Sequence, residues 1–106
     1  MLSQVFSRPH ILLGLHTTLA VAGTAVGVNP SSIPNGASAA IIGNVTADAN
    51  WSYDVDPTGT TGIPLPLDNS IVLEDIDDFS KLRFIQQSGA TTITFVWASG
   101  VSSRKL

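Results

Sequence analysis

Cysteine is absent from this 106-residue chain. That excludes disulfides, thiolate nucleophiles and cysteine-ligated metal sites. Small secreted domains usually lean on disulfides, so this one draws its stability from elsewhere. Charge is also scarce. Charged residues make up 12% of the chain, about half the usual share for a soluble domain. The Lys and Arg total is 5, and they form no cluster. Nucleic-acid binding needs several such residues on one face, so nucleic acid is excluded as a partner. No apolar run approaches the roughly 20 residues of a membrane-spanning helix. No segment repeats apolar residues at helical spacing over three turns, which excludes a helical fold.

What is present is apolar and hydroxylated. Hydrophobic residues are 43% of the chain, and Thr, Ser, Gly and Ala are frequent. This composition rules out disorder, which needs low hydrophobicity and high net charge. It suits a β protein with a neutral surface, or one whose surface is covered by partners. The acids total 8 (Asp48, Asp54, Asp56, Asp68, Glu74, Asp75, Asp77 and Asp78), and all fall between residues 48 and 78. Lys81, Arg83, Arg104 and Lys105 follow them. The acids read as solvated turns. The sharper alternative is an acidic edge that docks on the basic edge of another copy.

Residues 8–28, "RPHILLGLHTTLAVAGTAVGV", carry a basic residue, an apolar stretch and then small residues. That order imitates a secretory signal, and cleavage would make this a secreted or periplasmic domain. However, His16-Thr17-Thr18 interrupts the apolar run too early for a signal core. The preferred reading is an extended N-terminal arm over residues 1–16, reaching up to roughly 50 Å. Its candidate partner-binding residues are Phe6, His10, Ile11, Leu12, Leu13 and Leu15. The folded domain is expected at 17–98 and a polar tail at 99–106.

Along the domain, short strands alternate with turn signals. Thr17–Val28 reads as a strand pair or one strand bulged at Gly23. Asn29–Gly36 is a loop by its Pro, Asn and Gly. Ser38–Val45 is a buried strand. Trp51–Val55 alternates at period two, with Trp51, Tyr53 and Val55 on one face. Asp56–Gly62 is a loop. Ile63–Leu67 carries Pro64 and Pro66, so it is at most an edge strand. Ser70–Leu73 is a further strand, and Glu74–Ser80 is an acidic loop or a helical turn. Lys81–Gln87 and Thr91–Ala98 alternate cleanly, with Ser88-Gly89-Ala90 expected as a hairpin turn. The pattern predicts an all-β fold: a small antiparallel β-sandwich or a jelly-roll-like barrel. A core of this size without staples is marginal, which favours oligomerisation.

Catalytic and metal chemistry find little support. His10 and His16 precede the first strand, far from the acids, so no metal site is expected. Asp54 and Asp56 in "DVDPTG" lack the further ligands of an EF-hand loop. There is no Gly-x-Ser-x-Gly elbow and no phosphate-binding glycine loop. Glu74-Asp75 and Asp77-Asp78 lack a cleft to desolvate them. Trp51 and Trp97 admit sugar stacking. Their alternating neighbours make core or interface the better reading, so Trp51, Tyr53 and Trp97 are candidate interface aromatics. No enzyme activity and no cofactor are expected.

Between Ser32 and Trp97 three segments stand in a definite order. They are "IPNGASAAIIGN", "ADANWSYDVDPTGTTGIPL" and "LDNSIVLEDIDDFSKLRFIQQSGATTITFVW". Together they resemble a group of small β-sandwich structural proteins of tailed-bacteriophage virions. The resemblance implies a virion structural component, most simply a capsid decoration (cement) protein on the particle surface. The expected partners are the major capsid protein and further copies of this chain, as a homotrimer; the arm, which lies outside the resemblance, is expected along a neighbour. It brings no catalytic residues. A tail, connector or fibre-associated module is the alternative within the virion. A glycan-binding surface module is the alternative of another class.

Overall fold

The computed structural model describes residues 10–100. The chain forms strands β1 (His10–Val21), β2 (Ala39–Asn44), β3 (Ala49–Tyr53), β4 (Ile63–Leu65), β5 (Asn69–Leu73), β6 (Leu82–Gln86) and β7 (Thr91–Gly100). They build a four-stranded antiparallel sheet, β1-β7-β2-β5, and a three-stranded one, β4-β3-β6. This is the expected all-β sandwich. The period-two pattern of β7 decides its packing: Thr91, Ile93, Phe95 and Trp97 are buried between the sheets, while Thr92 and Thr94 face outward. Phe84 of β6 meets Phe95 edge-on at 5.7 Å, so the two sheets touch through aromatic rings. Val21, Ile42, Leu65 and Leu82 fill the space around them.

Three expectations are corrected. The first is the arm. β1 begins at His10, and His10, Ile11 and Leu12 pair with Gly100, Ser99 and Ala98. Residues 10–16 are therefore part of the sheet, and the proposed tail contributes Ser99 and Gly100 to β7. An uncharged, apolar-rich segment opposite another finds its partner within the chain. Residues 1–9 and 101–106, including Phe6, lie outside the described residues. The second is the bulge. The register of β1 shifts between Leu12 and His16, where Gly14 has φ 73°, and not at Gly23. A positive φ suits glycine, which has no Cβ to clash.

The third is the turn at 88–90. β6 pairs with β3, and β7 pairs with β1 and β2. The segment therefore arches from one sheet to the other instead of closing a hairpin. Both strands carry large apolar side chains on one face. Arching lets those faces meet across the core, whereas side-by-side pairing would put both on the same side of one sheet. The acidic stretch Glu74–Ser80 ends in a 3-10 turn at Phe79–Lys81, which buries Phe79.

A sandwich has exposed sheet edges, and each invites pairing with another chain. β4 is short and carries Pro64, and Pro66 follows it, so prolines blunt that edge as expected. The free side of β6 is covered: Val26 and Phe84 exchange backbone hydrogen bonds of 2.9 and 2.8 Å, and Gln86 N donates to Ala22 O. β5 is short and runs into the acidic turn. β1 is different. It is 12 residues long, with no Pro, Lys, Arg, Asp or Glu.

Candidate surfaces for partner binding

The candidate residues separate sharply. Trp97 is fully buried and makes no surface. Its ring stacks on Phe95 at 5.1 Å and meets the Phe79 edge at 5.0 Å. Its indole N–H donates to Thr17 Oγ1 at 2.9 Å, and that hydroxyl donates to Ser32 O. Trp97 is therefore a core residue, which corrects its candidacy as an interface aromatic. Trp51 is half-buried on the inner side of β3, paired with Phe84, and its indole N–H has no hydrogen-bond partner. Tyr53 is exposed at the end of β3. β3 stops there because Asp54 turns to φ 67°, so Val55 leaves the shared face. Of the arm residues, Leu13 packs against the core, whereas Ile11, Leu12 and Leu15 are exposed.

A surface missed by the sequence reading is the outer face of the four-stranded sheet. The register puts Leu12, Ala98, Ala39, Ile41, Val96 and Val72 on it as neighbours. Ala39 and Ala98 form their own apolar cluster with Ile41 and Val72, apart from the main core. Toward the other end the same face carries His16, opposite Val96, and then Thr18, Ala20, Thr92, Thr94 and Ser70. No Asp, Glu, Lys or Arg projects from these outward positions. The alternation in β2 and β7 does signal it: both sides of "AAIIG" and "FVWA" are apolar or small.

The three-stranded sheet is treated in the opposite way. Residues 54–62, which follow β3, fold back over its outer face. Thr58 O accepts from Asn50 Nδ2 at 3.0 Å, and Asp56 pairs with Arg83 at 2.8 Å. Arg83 also donates to Ala25 O. Pro57 is buried against Gly62, where a Cβ would sit 2.8 Å from Pro57 Cβ, at φ 116°. Gly62→Ala should therefore cost about 1–3 kcal/mol from backbone strain alone, more with the clash. Urea titration checks this, and a stability unchanged from wild type would refute the packing described. Asp56 is engaged by Arg83, so the Asp54–Asp56 pair is not a vacant cation loop. Among the described residues no group of three or more His, Asp or Glu side chains comes together to hold a metal. No helix among them is long and apolar enough to cross a membrane.

Asp78 caps the 3-10 turn. Its Oδ1 accepts from the hydroxyl and the backbone N–H of Ser80. The hydroxyl bond first, and the backbone bond second, hold its carboxyl below the usual range. A depressed folded pKa stabilises above the unfolded value and is lost as pH falls through the folded one. Ser80→Ala should raise the Asp78 pKa toward an ordinary carboxylate, read by NMR titration of its side-chain carbon.

Beside β1 lies an open groove of about 480 Å³, lined by Leu15–Thr18 on one side and Ser31–Pro34 on the other. The far wall is the 3-10 turn Pro30–Ser32, capped by Asn29, whose Oδ1 accepts from Ser31 N at 3.0 Å. The groove runs along a strand edge, has both apolar and hydroxyl-bearing walls, and contains no Asp, Glu, Lys or Arg. No protein-family model, curated protein or solved structure matches this chain.

Proposed function

We propose that this chain is a non-enzymatic structural module of a bacteriophage virion, a decoration protein that binds the assembled capsid lattice. The observation that carries the reading is the outer face of the four-stranded sheet, apolar along Leu12, Ala39, Ile41, Val72, Val96 and Ala98 and without Asp, Glu, Lys or Arg at its outward strand positions. Interface centres are apolar and depleted in charge. The opposite outer face is covered by the chain's own loop, so the molecule presents one apolar side. The order of motifs in the sequence supplies the virion context. A cement role follows thermodynamically: a protein that binds the assembled lattice and not the free subunit stabilises the lattice by linkage. The partners are the major capsid protein and further copies of this chain.

The glycan-binding alternative loses its platform. Trp97 is buried and Trp51 faces the inner side of its sheet. The test is quantitative gel densitometry of purified particles carrying this gene. A molar ratio to the major capsid protein near one is expected. A ratio of a few per cent would identify a tail or connector component, and absence from particles would overturn the virion reading. Ile41→Asp tests the face itself. It should abolish particle binding while leaving the circular dichroism of the fold in place, because Ile41 is on the outer side.

A further inference from the structure

We propose that Asn35 is a self-modifying site: in the folded protein its side-chain amide is lost through attack by the Gly36 backbone nitrogen, leaving aspartate and isoaspartate. Asn35 and Gly36 are the two central, exposed residues of the turn from Pro34 to Ala37. A single backbone bond closes that turn, Ala37 N donating to Pro34 O at 3.2 Å. Gly36 sits at φ 84°, as the third residue of a type II turn does. Among the described residues, neither the Asn35 amide nor the Gly36 N–H has a hydrogen-bond partner. A Cβ added at Gly36 would meet nothing within 4 Å. The turn is thus free to swing the amide onto the nitrogen, and residue 36 has no side chain to shield that nitrogen.

The fold protects the other asparagines. Asn29 precedes Pro30, which has no N–H to attack with. Asn44 and Asn50 are buried. The Asn44 amide donates to Ala47 O and Leu65 O, and the Asn50 amide to Thr58 O. Asn69 and Ser70 are held in β5, opposite Asn44 and Gly43 of β2. Only Asn35 joins exposure, a free amide and a following glycine.

The chemistry needs only water and base. Base removes the Gly36 N–H proton, and the nitrogen attacks Asn35 Cγ. The new C–N bond closes a cyclic imide. The Cγ–Nδ2 bond breaks, and ammonia leaves with a proton. Water then opens the ring. Attack at Cγ restores the ordinary backbone with an aspartate. Attack at the Asn35 main-chain carbonyl carbon routes the backbone through the β-carbon, which is isoaspartate. By either route one amide and one water become one carboxylate and one ammonium ion, and nothing is oxidised or reduced.

The new charge enters an uncharged stretch, since residues 9–47 hold no Asp, Glu, Lys or Arg. The turn leads directly into β2. Ser38 N donates to Ala98 O at 3.0 Å, and Ser38 O accepts from Ile76 N at 3.1 Å. Ala39 follows, in the outer apolar cluster. Isoaspartate also lengthens the backbone of the turn by one atom.

The test is to incubate the purified full-length chain at neutral and at mildly alkaline pH, then weigh each asparagine peptide by mass spectrometry. The Asn35 peptide should gain the mass difference between NH and O well ahead of the Asn69 peptide, and faster as hydroxide rises. Isoaspartate, read by enzymatic methyl esterification, should accompany aspartate. Gly36→Ala should slow the conversion at least about tenfold, a barrier difference of about 1.4 kcal/mol. Asn35→Gln, incubated alongside, should keep its isoelectric point while the wild type shifts to a lower one. Circular dichroism confirms that both variants fold. Four results would each overturn the proposal. They are no conversion at Asn35 in the folded chain, whether or not the urea-unfolded chain converts; aspartate without isoaspartate; Asn69 converting as fast as Asn35; and Gly36→Ala reacting at the wild-type rate. All are read on the chain alone, so they stand apart from the virion reading.

Discussion

Trp97→Ala should lower the unfolding free energy by about 3–5 kcal/mol, the usual cost of deleting a buried Trp side chain. Three losses combine. The cavity opens at the centre of the core, where Trp97 is fully buried. The ring contacts to Phe95 and Phe79 disappear, each worth about 0.5–1.5 kcal/mol beyond area. The hydrogen bond to Thr17 is also lost, and with it the tie between β7, β1 and the Ser32 loop. A domain of this size commands only about 5–15 kcal/mol in total, so the variant should be largely unfolded at modest urea. Trp97→Phe separates the terms. It keeps most of the apolar volume and drops the indole N–H, so about 1–2 kcal/mol is expected. If both substitutions cost the same, the hydrogen bond and not the packing is decisive, and the core described here is wrong.

That prediction shows what alternation can reveal. The period-two rows of β7 and β6 placed Ile93, Phe95, Trp97, Leu82 and Phe84 on one side each, and the side is the core. Proline placed β4 at an edge. Strand partners were a different matter. Alternation gives the buried side of a strand but not which strand lies beside it. A Ser-Gly-Ala turn between two amphipathic strands serves a hairpin and a sheet-to-sheet arch equally well. Residues 10–16 of the expected arm were misread for a related reason. His10–Leu15 is apolar and uncharged, as a segment seeking a partner should be, and its partner turned out to be β7. The outer apolar face needed register as well, since it is assembled from β1, β7, β2 and β5. "WSYDVDPTGTTGIPL" similarly read as strand, turn and edge. Its lid over the three-stranded sheet depends on Arg83, which arrives from far along the chain to pair with Asp56.

Asn44→Leu should cost about 2–5 kcal/mol, although it makes the core more apolar. Asn44 is fully buried at the end of β2. Its amide donates to Ala47 O at 2.7 Å and Leu65 O at 2.8 Å, and its oxygen accepts from Thr91 at 2.6 Å. Thr91 in turn accepts from Ala47 N. One side chain thus ties β2, β4, β7 and the turn after β2, so it joins both sheets. Leucine would leave two carbonyls and a hydroxyl without this partner, at about 1–3 kcal/mol for each buried group that water cannot reach. Asn44→Asp sharpens the test, because it preserves shape and removes the donors. Ionised, its carboxylate would face two carbonyl oxygens, so burial and repulsion push its folded pKa above the unfolded value near about 3.9. The folded state then holds the proton over that window, and stability relative to wild type should recover as pH falls through it. Protonated, the acid regains one donor, so recovery should be partial. Urea midpoints for wild type, Asn44→Leu and Asn44→Asp across mildly acidic to neutral pH read this directly. A deficit in Asn44→Asp that is independent of pH would show that the amide donors are not what holds the two sheets together at this point.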